Sequence, residues 1–100
     1  MTPDSVKLSD DKKSIIINYR GNSHLILPSS TLRTLSPSAE NKNNLKDPDF
    51  SKFLNVLILK IEGVGNYALR IIFDDGHNTG IYSWQYLHEI GLKIQNSITP

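Results

Sequence analysis

The chain has 100 residues, no cysteine, and 11 Lys/Arg against 10 Asp/Glu, for a net charge of +1. That length fits one domain with one hydrophobic core, and without thiols no disulfide staples it and no thiolate holds a metal. Charges of both signs are scattered rather than striped, which argues against nucleic acid as a partner.

Met1-Thr2-Pro3-Asp4 carries no basic and apolar leader pattern. The most apolar run, Phe53 to Ile61, is too short to cross a bilayer and contains Asn55 and Lys60. A cytoplasmic protein without a membrane partner is expected. Residues 1–13 are polar, with a turn at Asp10-Asp11-Lys12-Lys13. Ser14 to Tyr19 predicts a strand with Ile15, Ile17 and Tyr19 on one face, and Arg20-Gly21-Asn22 a turn. His24 to Leu27 is the return strand, ended by Pro28. Ser29 or Ser30 is placed to cap a short helix from Thr31 to about Leu35.

Residues 36–52, with Pro37, Pro48, Asn41, Asn43 and Asn44, read as a solvated connection. Phe53 to Glu62 suits a buried strand from about Val56, though its periodicity is also compatible with a helix. Gly63-Val64-Gly65-Asn66 turns the chain. Tyr67 to Phe73 alternates as a half-buried strand, Asp74-Asp75-Gly76-His77 is a hairpin turn, and Asn78 to Tyr82 returns. Ser83 caps a helix from Trp84 to Ile90 that Gly91 ends. Residues 1–5 and 93–100 are expected to be loosely ordered.

An offset of 55 positions, the separation of Gly21 and Gly76, brings two segments into register. Ile16-Ile17 falls on Ile71-Ile72, Ile26 on Ile81, Leu27 on Tyr82, Leu32 on Leu87 and Leu35 on Ile90. The expected architecture is α+β: one domain over residues 1–100 built from two β-hairpin-plus-helix repeats, about 14–35 and 69–91. Their strands form a small, mainly antiparallel sheet with short helices packed on one face.

The run Leu69-Arg70-Ile71-Ile72-Phe73-Asp74-Asp75-Gly76-His77-Asn78-Thr79-Gly80-Ile81-Tyr82-Ser83-Trp84-Gln85-Tyr86-Leu87 resembles the signature of the gamma-butyrobetaine-hydroxylase-like N-terminal domain family. Leu32-Arg33 and Ser36-Pro37-Ser38-Ala39-Glu40 resemble its segment after the first helix. The resemblance implies a domain without an assigned activity. Its members occur as small bacterial proteins, as fusions to Mrp-type P-loop ATPases carrying iron–sulfur clusters, and ahead of the catalytic domain of carnitine-pathway dioxygenases. In the last group it implies a structural zinc on a Cys-x-Cys-x-x-Cys cluster and a histidine. Those positions here are Ser36, Ser38, Asn41 and His77, of which only the histidine is a good zinc donor.

Asp74, Asp75 and His77 could bind a divalent ion or take part in acid–base chemistry, but Asp-Gly is also the ordinary choice for a hairpin turn. Tyr82, Trp84 and Tyr86 are candidate contact aromatics or core. Gly63-Val64-Gly65 lacks the third glycine and the helix of a phosphate loop. No nucleophile motif or facial triad involves His24, His77 or His88. The reading is a non-enzymatic protein-interaction or accessory module without cofactor, linked to iron–sulfur protein handling, with Asp74, Asp75, His77, Tyr82 and Trp84 as binding residues and another protein as partner. A homodimer through the 56–61 edge is a further expectation. The alternative is a small metal- or ligand-binding protein using His77 and the neighbouring acids.

Overall fold

A computed structural model of the protein describes residues 2–98, with side chains through residue 95. The strands fall into two three-stranded antiparallel sheets rather than one. The first joins β1 (Ser5–Leu8), β2 (Ser14–Asn18) and β3 (His24–Pro28). The second joins β4 (Ile58–Val64), β5 (Ala68–Phe73) and β6 (Ile81–Ser83).

Each expected hairpin has recruited a third strand from its own N-terminal side. β2 and β5 are therefore saturated on both edges and cannot pair with the other unit. β1 lies in the segment read as merely polar. Its alternation is weak because it is an edge strand with only Val6 and Leu8 packed on the core. A main-chain bond from Ile58 N to Lys12 O, 2.9 Å, ties the second sheet to the β1–β2 turn.

Alternation holds where a face is buried. Ile15 and Ile17 of β2, and Leu25 and Leu27 of β3, point inward, while Ile26 is exposed. Leu69, Ile71 and Phe73 do the same in β5, but Ala68 is buried too and Tyr67 lies outside the strand, exposed. One buried cluster draws on both sheets and on the helices, with Leu32, Tyr82, Leu87 and Ile90 at its centre. The turn glycines Gly21 and Gly76 both take positive φ, +83° and +90°.

The first helix, α1 (Ser29–Thr34), is capped by neither serine. Pro28 holds the N-cap position, and the Ser29 hydroxyl donates to Val56 O at 2.6 Å instead. Residues 36–52 are less solvated than their composition suggests. A 3-10 turn (Ala39–Asn41) leads into α2 (Lys42–Lys46), and Ser36 and Asn41 are buried.

Those buried polar groups have a purpose. A six-residue helix leaves its last carbonyls unpaired, and here other elements reach in to take them. Tyr82 Oη donates to Leu32 O, Tyr86 Oη to Leu35 O at 2.6 Å, and the Asn41 and Asn44 amides to Thr34 O at 2.9 and 2.8 Å.

The final helix, α3 (Trp84–Ile98), runs well past Gly91. Gly91 does not end it, because it lies where the helix crosses β3. A Cβ there would stand 2.5 Å from Leu25 Cδ1. The residues expected to be loose therefore include helix through Ile98, while 99–100 lie outside the described residues. Ser83 does cap α3, accepting from Tyr86 N at 3.1 Å. No helix among the described residues is long and apolar enough to cross a membrane.

Candidate functional site

The second hairpin turn connects β5 to β6 and closes on itself. Phe73 N donates to His77 O at 2.9 Å, and Gly76 supplies the positive φ. Asp74 is engaged by the residue that precedes β4. Its Oδ1 accepts from Leu57 N at 3.0 Å, and its own N donates to Leu57 O. Asp75 Oδ1 accepts from His77 N at 3.1 Å, as a short acidic side chain does in such a turn. Its Oδ2 takes Arg33 Nε at 2.8 Å. Burial pushes the Asp75 carboxyl up, but Arg33 and the His77 amide outweigh it and hold the group below its ordinary value.

The His77 ring points inward and is almost completely buried. Its Nε2 lies 2.7 Å from Ser36 Oγ and 3.5 Å from Ser38 Oγ, and its Nδ1 lies 3.9 Å from Glu40 Oε2. Glu40 in turn accepts from the Thr79 hydroxyl. Desolvation lowers the imidazole's proton affinity, and the Arg33 charge lowers it further against the opposing pull of Glu40 and Asp75. The ring is therefore neutral at pH 7.

The structure thus gathers Ser36, Ser38 and His77 into one polar cluster. Asn41 joins through the main chain, its amide donating to Ser36 O at 3.0 Å and to Thr34 O. Gly80 makes room for this. A Cβ at that position would stand 2.3 Å from Ser36 Oγ.

These residues do not fit the zinc that the family resemblance implies. The imidazole nitrogen facing the cluster is taken by Ser36, the other donors are two hydroxyls, and the Asn41 amide nitrogen is turned to carbonyl oxygens. Among the described residues no three His, Asp or Glu side chains are grouped to hold a metal ion. The order Ser36, His77, Glu40 also mimics a nucleophile, base and acid. Ser36 is completely buried, however, so nothing can reach its oxygen.

The other singled-out residues are separated from this cluster or closed off. Tyr82 is completely buried, bonded to α1. Trp84 packs half-buried on the core with its Nε1 donating to Asn66 O at 2.8 Å. It lies at the far end of β5, whose six residues separate it from Asp74 and Asp75 by roughly 20 Å. Exposed Tyr67 lies at that end, its main-chain O accepting from Trp84 N, and exposed Ile81 stands opposite Arg70 in mid-strand.

Sequence reasoning missed Arg33. Its guanidinium lies 4.1 Å from the Phe53 ring centre, bonds Asp75, and keeps Nη1 buried with no hydrogen-bond partner among the described residues. Nothing local marks such a residue, since its partners lie 20 and 42 positions away.

The family model described as gamma-butyrobetaine hydroxylase-like, N-terminal, matches residues 6–88. A crystal structure of a protein of unknown function in the DUF971 family, from Acidithiobacillus ferrooxidans, is similar in fold. Its TM-score is 0.75 at 24% identity, over 90% of this chain and 92% of that one. Two NMR solution structures are 33% identical. One gives a TM-score of 0.72 over 95% of this chain and 76% of that one, the other 0.71 over 93% and 70%. No curated protein matches.

Proposed function

The chain belongs to the gamma-butyrobetaine hydroxylase-like N-terminal domain family, and from that premise we propose that it is a non-enzymatic accessory module that binds another protein in the cytoplasm. One observation carries this reading. The chemically capable side chains of the second turn are spent on holding the fold: His77 on Ser36, Asp74 on Leu57 N, Asp75 on Arg33 and Tyr82 on Leu32 O. A turnover site needs groups that are free to exchange protons or bind a reacting atom.

Contact with a partner falls to side chains that face outward. Exposed Tyr67, with the half-buried Trp84 behind it and exposed Ile81 on the neighbouring strand, offers an aromatic anchor of the kind that dominates interfaces, and Asp74 and Asp75 mark the opposite end of the sheet. Iron–sulfur protein handling is the setting that the family's ATPase fusions favour.

Cross-linking in the native cell tests this, with wild type compared against a Tyr67→Ala/Ile81→Ala double variant. The reading expects one iron–sulfur-handling protein to be captured by the wild type and lost from the variant. Capture lists identical for the two would remove this surface, and enzymatic turnover by the purified chain would remove the non-enzymatic reading.

A further inference from the structure

We infer that the cleft between the first hairpin turn and the second half of α3 is a binding site for a small organic anion with a short apolar tail. The cleft has a volume of about 430 Å³, within the range of small-molecule sites. Tyr19, Arg20, Ser23 and His88 line it with polar groups, beside Thr2 and Gln95, and Leu25 and Leu92 give it an apolar floor.

The first four of these groups are unspent. Among the described residues the Tyr19 hydroxyl, the Arg20 guanidinium, the Ser23 hydroxyl and the His88 ring nitrogens hold no hydrogen bond or ion pair. The second turn shows the opposite condition. Tyr19 and His88 meet only edge to face, ring centres 5.6 Å apart and planes at 84°, which leaves their polar atoms free.

The four groups share one preference. Each can donate a hydrogen bond, one carries a permanent positive charge, and among the described residues no carboxylate lines the cleft. Burial raises the Tyr19 phenol above its ordinary value, so it keeps its proton at neutral pH. A planar guanidinium flanked by hydroxyl donors suits a carboxylate or a phosphate ester, whose charge is worth more in a half-sheltered cleft than in bulk water. The floor selects for an apolar appendage. Leu92 is 42% exposed, and a tail of a few carbons would remove that surface from water.

Gly91 builds the cleft. Its missing side chain lets α3 lie on Leu25, bringing His88 and Leu92 to the hairpin turn. The site is independent of the accessory reading, since it shares no residue with the surface proposed there.

NMR titration of the full chain tests the assignment, using butyrate and butyl phosphate as probes, inorganic phosphate as the headgroup alone, and butylamine as the same tail with the wrong charge. The proposal expects saturable shifts at residues 19–23 and at His88 with butyrate or butyl phosphate. It expects at least tenfold weaker effects from inorganic phosphate and none from butylamine. Arg20→Gln should weaken the anion about tenfold without moving the thermal midpoint, whereas Arg70→Gln on the other sheet should leave binding unchanged. Absence of saturable shifts with both anions, equal shifts from butylamine, or an Arg20→Gln variant that binds as wild type would overturn it.

Discussion

Ser36 Oγ stands 2.7 Å from His77 Nε2 across 41 residues of sequence, joining the exit of α1 to the second hairpin turn. Truncating Ser36 leaves the buried His77 Nε2 with only the long, 3.5 Å contact to Ser38 Oγ. Ser36→Ala is expected to cost about 1–3 kcal/mol, the usual penalty for an orphaned buried polar group. Urea unfolding should show a lower midpoint at an unchanged slope. An unmoved midpoint would mean that the bond contributes nothing net.

The same ring predicts an acid limb in stability. Desolvation, reinforced by Arg33, holds the His77 value below that of the unfolded chain. The unfolded state then binds the proton more readily. The ring's contribution is complete above about pH 6.5 and is lost as pH falls through the lower, folded-state value. The thermal midpoint should fall between pH 7 and pH 5, and less steeply in His77→Gln. Equal slopes would assign the acid limb to other groups.

Metal should leave the wild-type protein indifferent, because hydroxyls and an amide occupy three of the four positions where the family resemblance implies zinc ligands. The thermal midpoint is expected to be the same with zinc and with a chelator. Ser36→Cys/Ser38→Cys/Asn41→Cys should acquire a zinc-dependent stability, about 2.7 kcal/mol at a hundredfold excess over its dissociation constant. A wild-type midpoint that rises with zinc would contradict the account of the cluster.

Two glycines are predicted to differ. At Gly80 a methyl group would strike both Ser36 Oγ and the Tyr82 ring, at 2.3 and 3.0 Å. Gly80→Ala should therefore cost roughly 1–3 kcal/mol, as overpacking does. At Gly91 the obstacle is the end of one leucine side chain. There the strain is offset by a gain of about 1 kcal/mol for alanine in a helix interior. Calorimetry should rank Gly80→Ala well below Gly91→Ala, and a reversed order would show that the helix, not the turn, is the tighter packing.

Tyr82→Phe should cost more than Tyr86→Phe. Both remove a hydroxyl from a carbonyl at the end of the first helix, but Leu32 O is bonded by a completely buried ring, whereas Tyr86 is only half-buried and water can substitute. The expected gap is about 1 kcal/mol.

The sequence made the hairpins legible because β-branched alternation and Asp-Gly or Gly-Asn turns are local signals. β2, β3, β5 and the cap at Ser83 all emerged this way. β1 did not, since an edge strand with two inward residues barely differs from polar coil. The polar loop after α1 misled for a different reason. Asn41 and Asn44 look solvated until the unpaired carbonyls of a short helix are placed beside them, and that neighbourhood is set by tertiary structure. His77 was legible as a singular residue but not as a buried one, because Ser36 and Gly80 decide its direction. Trp84 looked adjacent to the acidic turn because sequence distance hides the length of a strand.

The two meanders also bear on how the protein is made. The first is complete by Pro28, and each of its strand pairings is between neighbours in the chain. Yet Ile15, Ile17 and Leu27 belong to the same buried cluster as Phe73, Tyr82 and Leu87, which the ribosome adds much later. During that interval the apolar side chains of the first sheet have nothing to pack against. A stalled or truncated chain would be a client for chaperones and a seed for aggregation.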